Sequence, residues 1–203
     1  YQLSFEDWVE ERKSGLCDVA NQVLGAHDNA RRFEALKKAL ASQNVVPFLG
    51  AGLSMPSGYP GWTQFLWSLQ EESHVKEADL ESILSAGDYE GAAQLIHNDL
   101  GSALFNKQLQ ECFDRRCSAI GSINLLPLAF PDSNVVTTNF DKLLESVFAG
   151  QSQGFDQIIH GNNIGEALRI LNAGGRYLLK MHGSCESVAN RVLLRDEYNQ
   201  AYG

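Results

Sequence analysis

Paired cysteines, a basic cluster and long apolar runs are all missing from this chain, and each absence removes a class of function. The four cysteines, Cys17, Cys112, Cys117 and Cys185, are scattered and form no CxxC pair. Structural zinc modules bring their ligands in closely spaced pairs, so no zinc ribbon or finger is expected. Their spacing is irregular and no signal-peptide pattern accompanies it, so free thiols, buried by default, are the expectation rather than a disulfide framework. Lysine and arginine number 16 against 25 aspartates and glutamates, a net charge of −9. Phosphate contacts need lysine and arginine, so no nucleic acid is expected to bind through this segment. No apolar run approaches the ~20 residues that cross a membrane, and the expected location is cytoplasmic. What remains is an ordinary globular composition, 44% hydrophobic and 20% charged in 203 residues. That is enough for one sizeable domain with an added helical piece.

Against this background three segments carry chemistry. Val45-Val46-Pro47-Phe48-Leu49 is a short apolar run that reads as a buried strand, and Gly50-Ala51-Gly52-Leu53-Ser54 follows it directly. Two glycines and an alanine there allow a sharp turn, or close approach of a ligand that a larger Cβ would block. A helical pattern opens at Gly61-Trp62. Val135-Val136-Thr137-Thr138-Asn139-Phe140-Asp141 is a second apolar run ending in small polar residues, with a helical pattern after it. Tyr177-Leu178-Leu179-Lys180-Met181-His182-Gly183-Ser184 is a third, ending in a histidine and a glycine. In open parallel sheets the carboxyl edge of the strands is where ligands bind, and strand, glycine turn, helix is the arrangement that holds a dinucleotide's phosphates.

The rest of the chain predicts an α/β fold, a Rossmann-like parallel sheet with helices on both faces, a helical insertion and an N-terminal helical extension. Residues 1–42 read as the extension: Phe5, Trp8 and Val9 give one apolar stripe, and Asp28 or Asn29 could cap a second helix bearing Phe33, Leu36 and Leu40. Residues 43–203 read as the main domain, with the insertion at about 70–130, longer than a parallel crossover requires. After Asp141 the pattern alternates: helix 141–149, strand 157–160, helix 164–172, strand 176–181, and a last helix from Asp196. Pro47 is discordant in a strand and is expected at its last paired position. The segment Arg191 to Tyr202 reads as structural.

GAGLSMPSGYPGW, TTNFD and KMHGS, in that order, resemble the sirtuin-like NAD-consuming domains of prokaryotic anti-phage effectors, the Thoeris type among them. The likeness runs from about Gln43 to Tyr202. It implies that Asn139 and His182 are a catalytic pair, and that Gly50, Ala51, Gly52, Ser54, Trp62, Thr138, Asp141 and Gly183 line a pocket for NAD. NAD would be the substrate, with no metal. Protein-deacylating sirtuins carry two cysteine pairs, and their absence here argues against deacylation. A relative would continue past Tyr202 into strands covering the adenosine half of NAD, so the chain is expected to be part of something longer, whose carboxyl-terminal portion is missing here. Partners implied are NAD+ and a homo-oligomer or larger defence complex.

The chemistry agrees with the residue types. Nicotinamide leaves from a cationic pyridinium and needs little acid catalysis, while the ribose carbon becomes oxocarbenium-like. Asn139 could aim a water or the ribose hydroxyls, or simply cap the following helix. His182 suits a general base, its ordinary pKa lying near neutrality. His27, His74, His97 and His160 read as core or surface histidines. Three functions stay open: an NAD+ glycohydrolase, a non-catalytic NAD- or nucleotide-sensing module, and an NAD-dependent protein deacylase.

Overall fold

A computed structural model describes residues 2–42, 45–161 and 164–202. The chain divides into two compact units, residues 1–45 and 46–203. The expected boundary between 42 and 43 abuts residues 43–44, which lie outside the described residues, as does Gln43, where the likeness begins.

The first unit is a helix pair, α1 (Gln2–Gly25) and α2 (Asn29–Ala41). His27 and Asp28 turn the chain between them with φ of 48° and 63°. Asp28 precedes α2 but its carboxylate makes no cap bond; it pairs with Arg31 at 2.6 Å instead.

The second unit is built on four parallel strands, β1 (Phe48–Leu49), β2 (Val135–Thr137), β3 (Gln157–His160) and β4 (Tyr177–Lys180), in the order β1-β2-β4-β3. Side chains alternate across a strand, and β4 shows the result. Leu178 packs into the main core, while Tyr177 and Leu179 turn to a smaller cluster with Ile159 of β3 and Ile170. Ile170 belongs to α9 (Ile164–Asn172), which therefore covers one face of the sheet. The other face carries α8 (Leu143–Gly150), through Leu143, Leu144, Val147 and Phe148. The fold is thus α/β and Rossmann-like, with flanking helices, as the alternation predicts.

On the main face sit α3 (Trp62–Gln70), α4 (Glu77–Ser85), α5 (Tyr89–Leu100), α6 (Ser102–Phe113) and the single turn α7 (Leu126–Ala129). Their buried residues, among them Phe65, Leu80, Ile96, Phe105 and Leu109, join the same core as Val135 and Leu178. α10 (Arg195–Tyr202) closes the described chain. Pro47 lies just before β1, not at its end, and its carbonyl accepts from Val136 N at 3.0 Å. A proline there costs the ladder nothing, because only its acceptor is used.

Candidate functional site

The register sets the four strand ends level: Leu49 lies opposite Thr137, Thr137 opposite Lys180, and Lys180 opposite His160. The residues that follow these ends therefore gather at one edge. Gly50 leaves β1 with φ −120° and ψ −177°, extended backbone open to any residue, and Gly52 has no positive φ either. The glycines are thus not demanded by the turn. A Cβ on Gly52 would meet nothing within 4 Å, and one on Gly50 only Thr138 Oγ1 at 3.9 Å. What their missing side chains leave is space beside the strand ends. Two short 3-10 turns (Ala51–Leu53 and Met55–Ser57) separate this bend from α3, so the bend does not run straight into a helix.

Ser54, buried at the end of the first of these turns, joins two of the sequence motifs. Its Oγ accepts from Asn139 Nδ2 at 3.0 Å, and its hydroxyl bonds the Asp141 carboxylate. Asn139 Nδ2 also donates to the Gly50 carbonyl at 3.2 Å, and its backbone N donates to Thr137 Oγ1 at 3.0 Å. Thr137 Oγ1 in turn donates to the Leu49 carbonyl at 2.9 Å. Both amide hydrogens of Asn139 are therefore committed, while its buried Oδ1 has no protein partner. A buried polar atom without a partner costs on the order of 1–3 kcal/mol, so this acceptor is held in place at the fold's expense. Asn139 does not cap a helix: α8 begins at Leu143, whose N is held by Asp141 Oδ1 at 3.0 Å. Burial pushes the Asp141 pKa up, opposed by its bonds from Leu143 N and Ser54 and by Lys180.

Lys180, the last residue of β4, is 1% exposed. Its Nζ donates to the carbonyls of Phe140 at 3.3 Å and Asp141 at 2.6 Å and pairs with Glu145 at 2.8 Å. The strand that delivers His182 thereby also pins the turn that carries Asn139. The sequence pattern gave this lysine no role.

His182 lies two residues beyond β4. Burial lowers its pKa below the ordinary histidine value, with Glu90 opposing. Nε2 lies 2.8 Å from the Tyr198 hydroxyl, and Nδ1 is buried without a partner. Gly183, at φ +76°, makes the left-handed turn behind it, where an added Cβ would stand 2.1 Å from the Asn190 carbonyl oxygen.

Two clefts adjoin at this edge. One is lined by Ala51, Ser54, Trp62, Thr138, Asn139 and Asp141, with Phe113 and Phe140 among its other walls. The other is lined by His182, Tyr198, Glu90, Trp62 and Thr138, with Val192 and Leu193. Trp62 and Thr138 belong to both. Trp62 meets Phe140 edge-on at 5.3 Å between ring centroids, and Phe140 lies 6.3 Å from the His182 ring. Of the residues named from sequence, Gly50 contributes its carbonyl, Gly52 and Gly183 line neither cleft, and the others line one or both. Tyr198 was missed. It sits in the segment read as structural, on α10, and no local pattern marks it.

Residues 133–203, from just before β2 to the end of α10, match the SIR2-like domain family. The chain is 27% identical over 183 residues to the NAD(+) hydrolase ThsA of Cytobacillus dafuensis, a match covering 89% of this chain and 34% of that protein. It is 28% identical over 159 residues to defense-associated sirtuin 2 of Bacillus subtilis, covering 76% of this chain and 15% of that one. Against the NAD(+) hydrolase ThsA of Acinetobacter baumannii (strain 532279) it is 25% identical over 175 residues, covering 85% and 34%. The chain thus spans about a third or less of the length of these relatives. The likeness to these NAD(+) hydrolases and to the defense-associated sirtuin extends over most of its sequence.

Proposed function

We propose that this domain binds NAD+ at the carboxyl edge of its sheet and cleaves the bond between nicotinamide and ribose, within a larger anti-phage defence protein. The observation that carries the reading is Asn139: buried at the wall of a cleft, clamped by Gly50 and Ser54, with its acceptor Oδ1 left without a protein partner. A fixed acceptor dipole suits this reaction in two ways. It can hold a ribose hydroxyl or a water, and it stabilises positive charge growing on the ribose carbon without reorganising. His182, kept neutral by burial, can take the proton of the attacking water. The side-chain-free space at Gly50 and Gly52 and the apolar wall of Trp62, Phe113 and Phe140 suit a dinucleotide, whose sites are mostly apolar with few polar anchors.

The names of the relatives, NAD(+) hydrolase ThsA and defense-associated sirtuin 2, support the same substrate and setting. Among the described residues no three His, Cys, Asp or Glu side chains cluster as metal ligands. Self-association and a cytoplasmic setting belong to this proposal as well. No described helix is long and apolar enough to cross a membrane.

The test is to incubate the protein at its natural length with NAD+ and to separate the products by chromatography. Release of nicotinamide and ADP-ribose is expected. Asn139→Ala and His182→Ala should each reduce it by about 10²-fold or more with thermal unfolding unchanged. Wild-type turnover in both folded variants would refute the assignment. Tight NAD+ binding with no products would favour a sensing module.

A further inference from the structure

We propose that Tyr198 is a third catalytic residue of this site, a proton relay between the attacking water and Nε2 of His182. The inference rests on reading His182 as the general base. The difficulty it resolves is geometric. Nδ1 of His182 is buried and Nε2 faces the phenol, 2.8 Å away. A general base must lie within about 2.6–3.2 Å of the oxygen it deprotonates. The Tyr198 oxygen already holds that position on Nε2, and both side chains line the same cleft with Glu90. With Nε2 occupied by the phenol, a proton reaches it through the Tyr198 hydroxyl.

The phenol is suited to pass a proton on and not to keep one. Burial pushes its pKa up to about 12, so it stays protonated at neutral pH, and in the Nδ1–H tautomer of a neutral ring it donates to Nε2. In the step, the water's O–H bond breaks and its proton goes to the phenol oxygen, as the phenol's own proton moves to the Nε2 lone pair. The electron pair left on the water oxygen forms the bond to the ribose carbon. The pair of the ribose–nicotinamide bond leaves with nicotinamide and cancels the pyridinium charge. Tyr198 ends as it began, and His182 ends as imidazolium, with Glu90 across the cleft as the anion that favours it.

α10 has the anchoring such a role needs. Glu197 Oε2 accepts from the backbone N of Leu193 at 2.8 Å and Leu194 at 3.0 Å, and Arg191, 5% exposed, pairs with Glu197. Asp88, whose carboxylate caps α5, is bonded by Arg195, which ties α10 to the helix bearing Glu90.

The experiment compares wild type, Tyr198→Phe, His182→Ala and the double variant at natural length, by nicotinamide release in H2O and D2O. The relay predicts that Tyr198→Phe loses about 10²-fold in kcat with KM little changed, and that its solvent isotope effect falls toward one. In the His182→Ala background, Tyr198→Phe should cost nothing further, whereas a merely structural role would subtract equally in both. Unchanged or raised turnover in folded Tyr198→Phe, with His182→Ala inactive, overturns the relay alone; raised turnover would make the phenol an obstruction. No nicotinamide release by wild type overturns the glycohydrolase reading and the relay together.

Discussion

Replacing Gly183 by alanine should damage this protein through its fold and not through lost ligand contact. Gly183 sits at φ +76°, where an L side chain is strained at a cost of about 1–3 kcal/mol. The added Cβ would stand 2.1 Å from Asn190 O, 2.7 Å from Asn190 C and 3.0 Å from Arg191 Cα. All three are backbone atoms, so no flexible side chain can swing aside. The neighbouring strand of chain is tied down as well, because Val192 N donates to the His182 carbonyl at 3.1 Å. Forcing the 188–192 segment outward adds an overpacking cost of about 1–3 kcal/mol. Together these give about 2–6 kcal/mol, or roughly 5–20 °C of melting temperature in a domain of this size. Urea denaturation followed by tryptophan fluorescence reads the loss directly. Gly52→Ala is the matched control: with no positive φ and no atom within 4 Å of the new Cβ, it should change stability by no more than about 0.5 kcal/mol. Stability of Gly183→Ala within that same margin of wild type would refute the steric argument.

Three further outcomes follow from the same geometry. Lys180→Met strips a buried cation from Glu145 and from the carbonyls of Phe140 and Asp141 and should cost about 3–5 kcal/mol by denaturation; a loss under 1 kcal/mol would mean the pair is not carrying the turn. Because burial lowers the folded-state pKa of His182, its neutral form contributes fully above the ordinary histidine value near 6.5, and both activity and that increment of stability are lost as pH falls through the lower folded value. The acid limb of kcat should therefore lie below pH 6.5, and an acid limb above it would contradict a desolvated ring. With no CxxC pair in the sequence, metal analysis should find no stoichiometric zinc, and acyl-lysine peptides should not be deacylated; one tightly held zinc per chain would reopen that activity.

The legible part of this protein was the part governed by local pattern. Strand 157–160 and helix 164–172 appear as the alternation predicts, since a short β-rich run and a 3.6-residue stripe each declare themselves within a few residues. Helix 141–149 begins two residues late, because Asp141 is spent on holding the N of Leu143. Of the two local readings of the Asn139 amide, cap or site, tertiary structure removes the cap: α8 begins at Leu143, and the amide is bound by Gly50 and Ser54, some 85–89 residues away. Pro47 was placed at the wrong end of β1 because a two-residue strand gives no periodicity from which to fix its limits. Lys180 and Tyr198 were illegible for another reason. A lysine in a strand and a tyrosine on a short polar helix carry no sign of burial or of a partner until the elements meet.

The strand order has a consequence in time. Of the four described strands β4 comes last in the sequence, yet it lies between β2 and β3, both of which are synthesised before it. Until residues 177–180 slot into that gap, β2 and β3 have no common neighbour, Lys180 is not there to pin the Phe140 turn, and His182 is far from Asn139. Such pairings of distant segments form late and slowly, because the loop must close before any contact rewards it. A growing chain on the ribosome therefore lacks both the pinned Phe140 turn and His182 at every length short of β4. Under the proposed function, cofactor cleavage would wait until the middle of the sheet is filled.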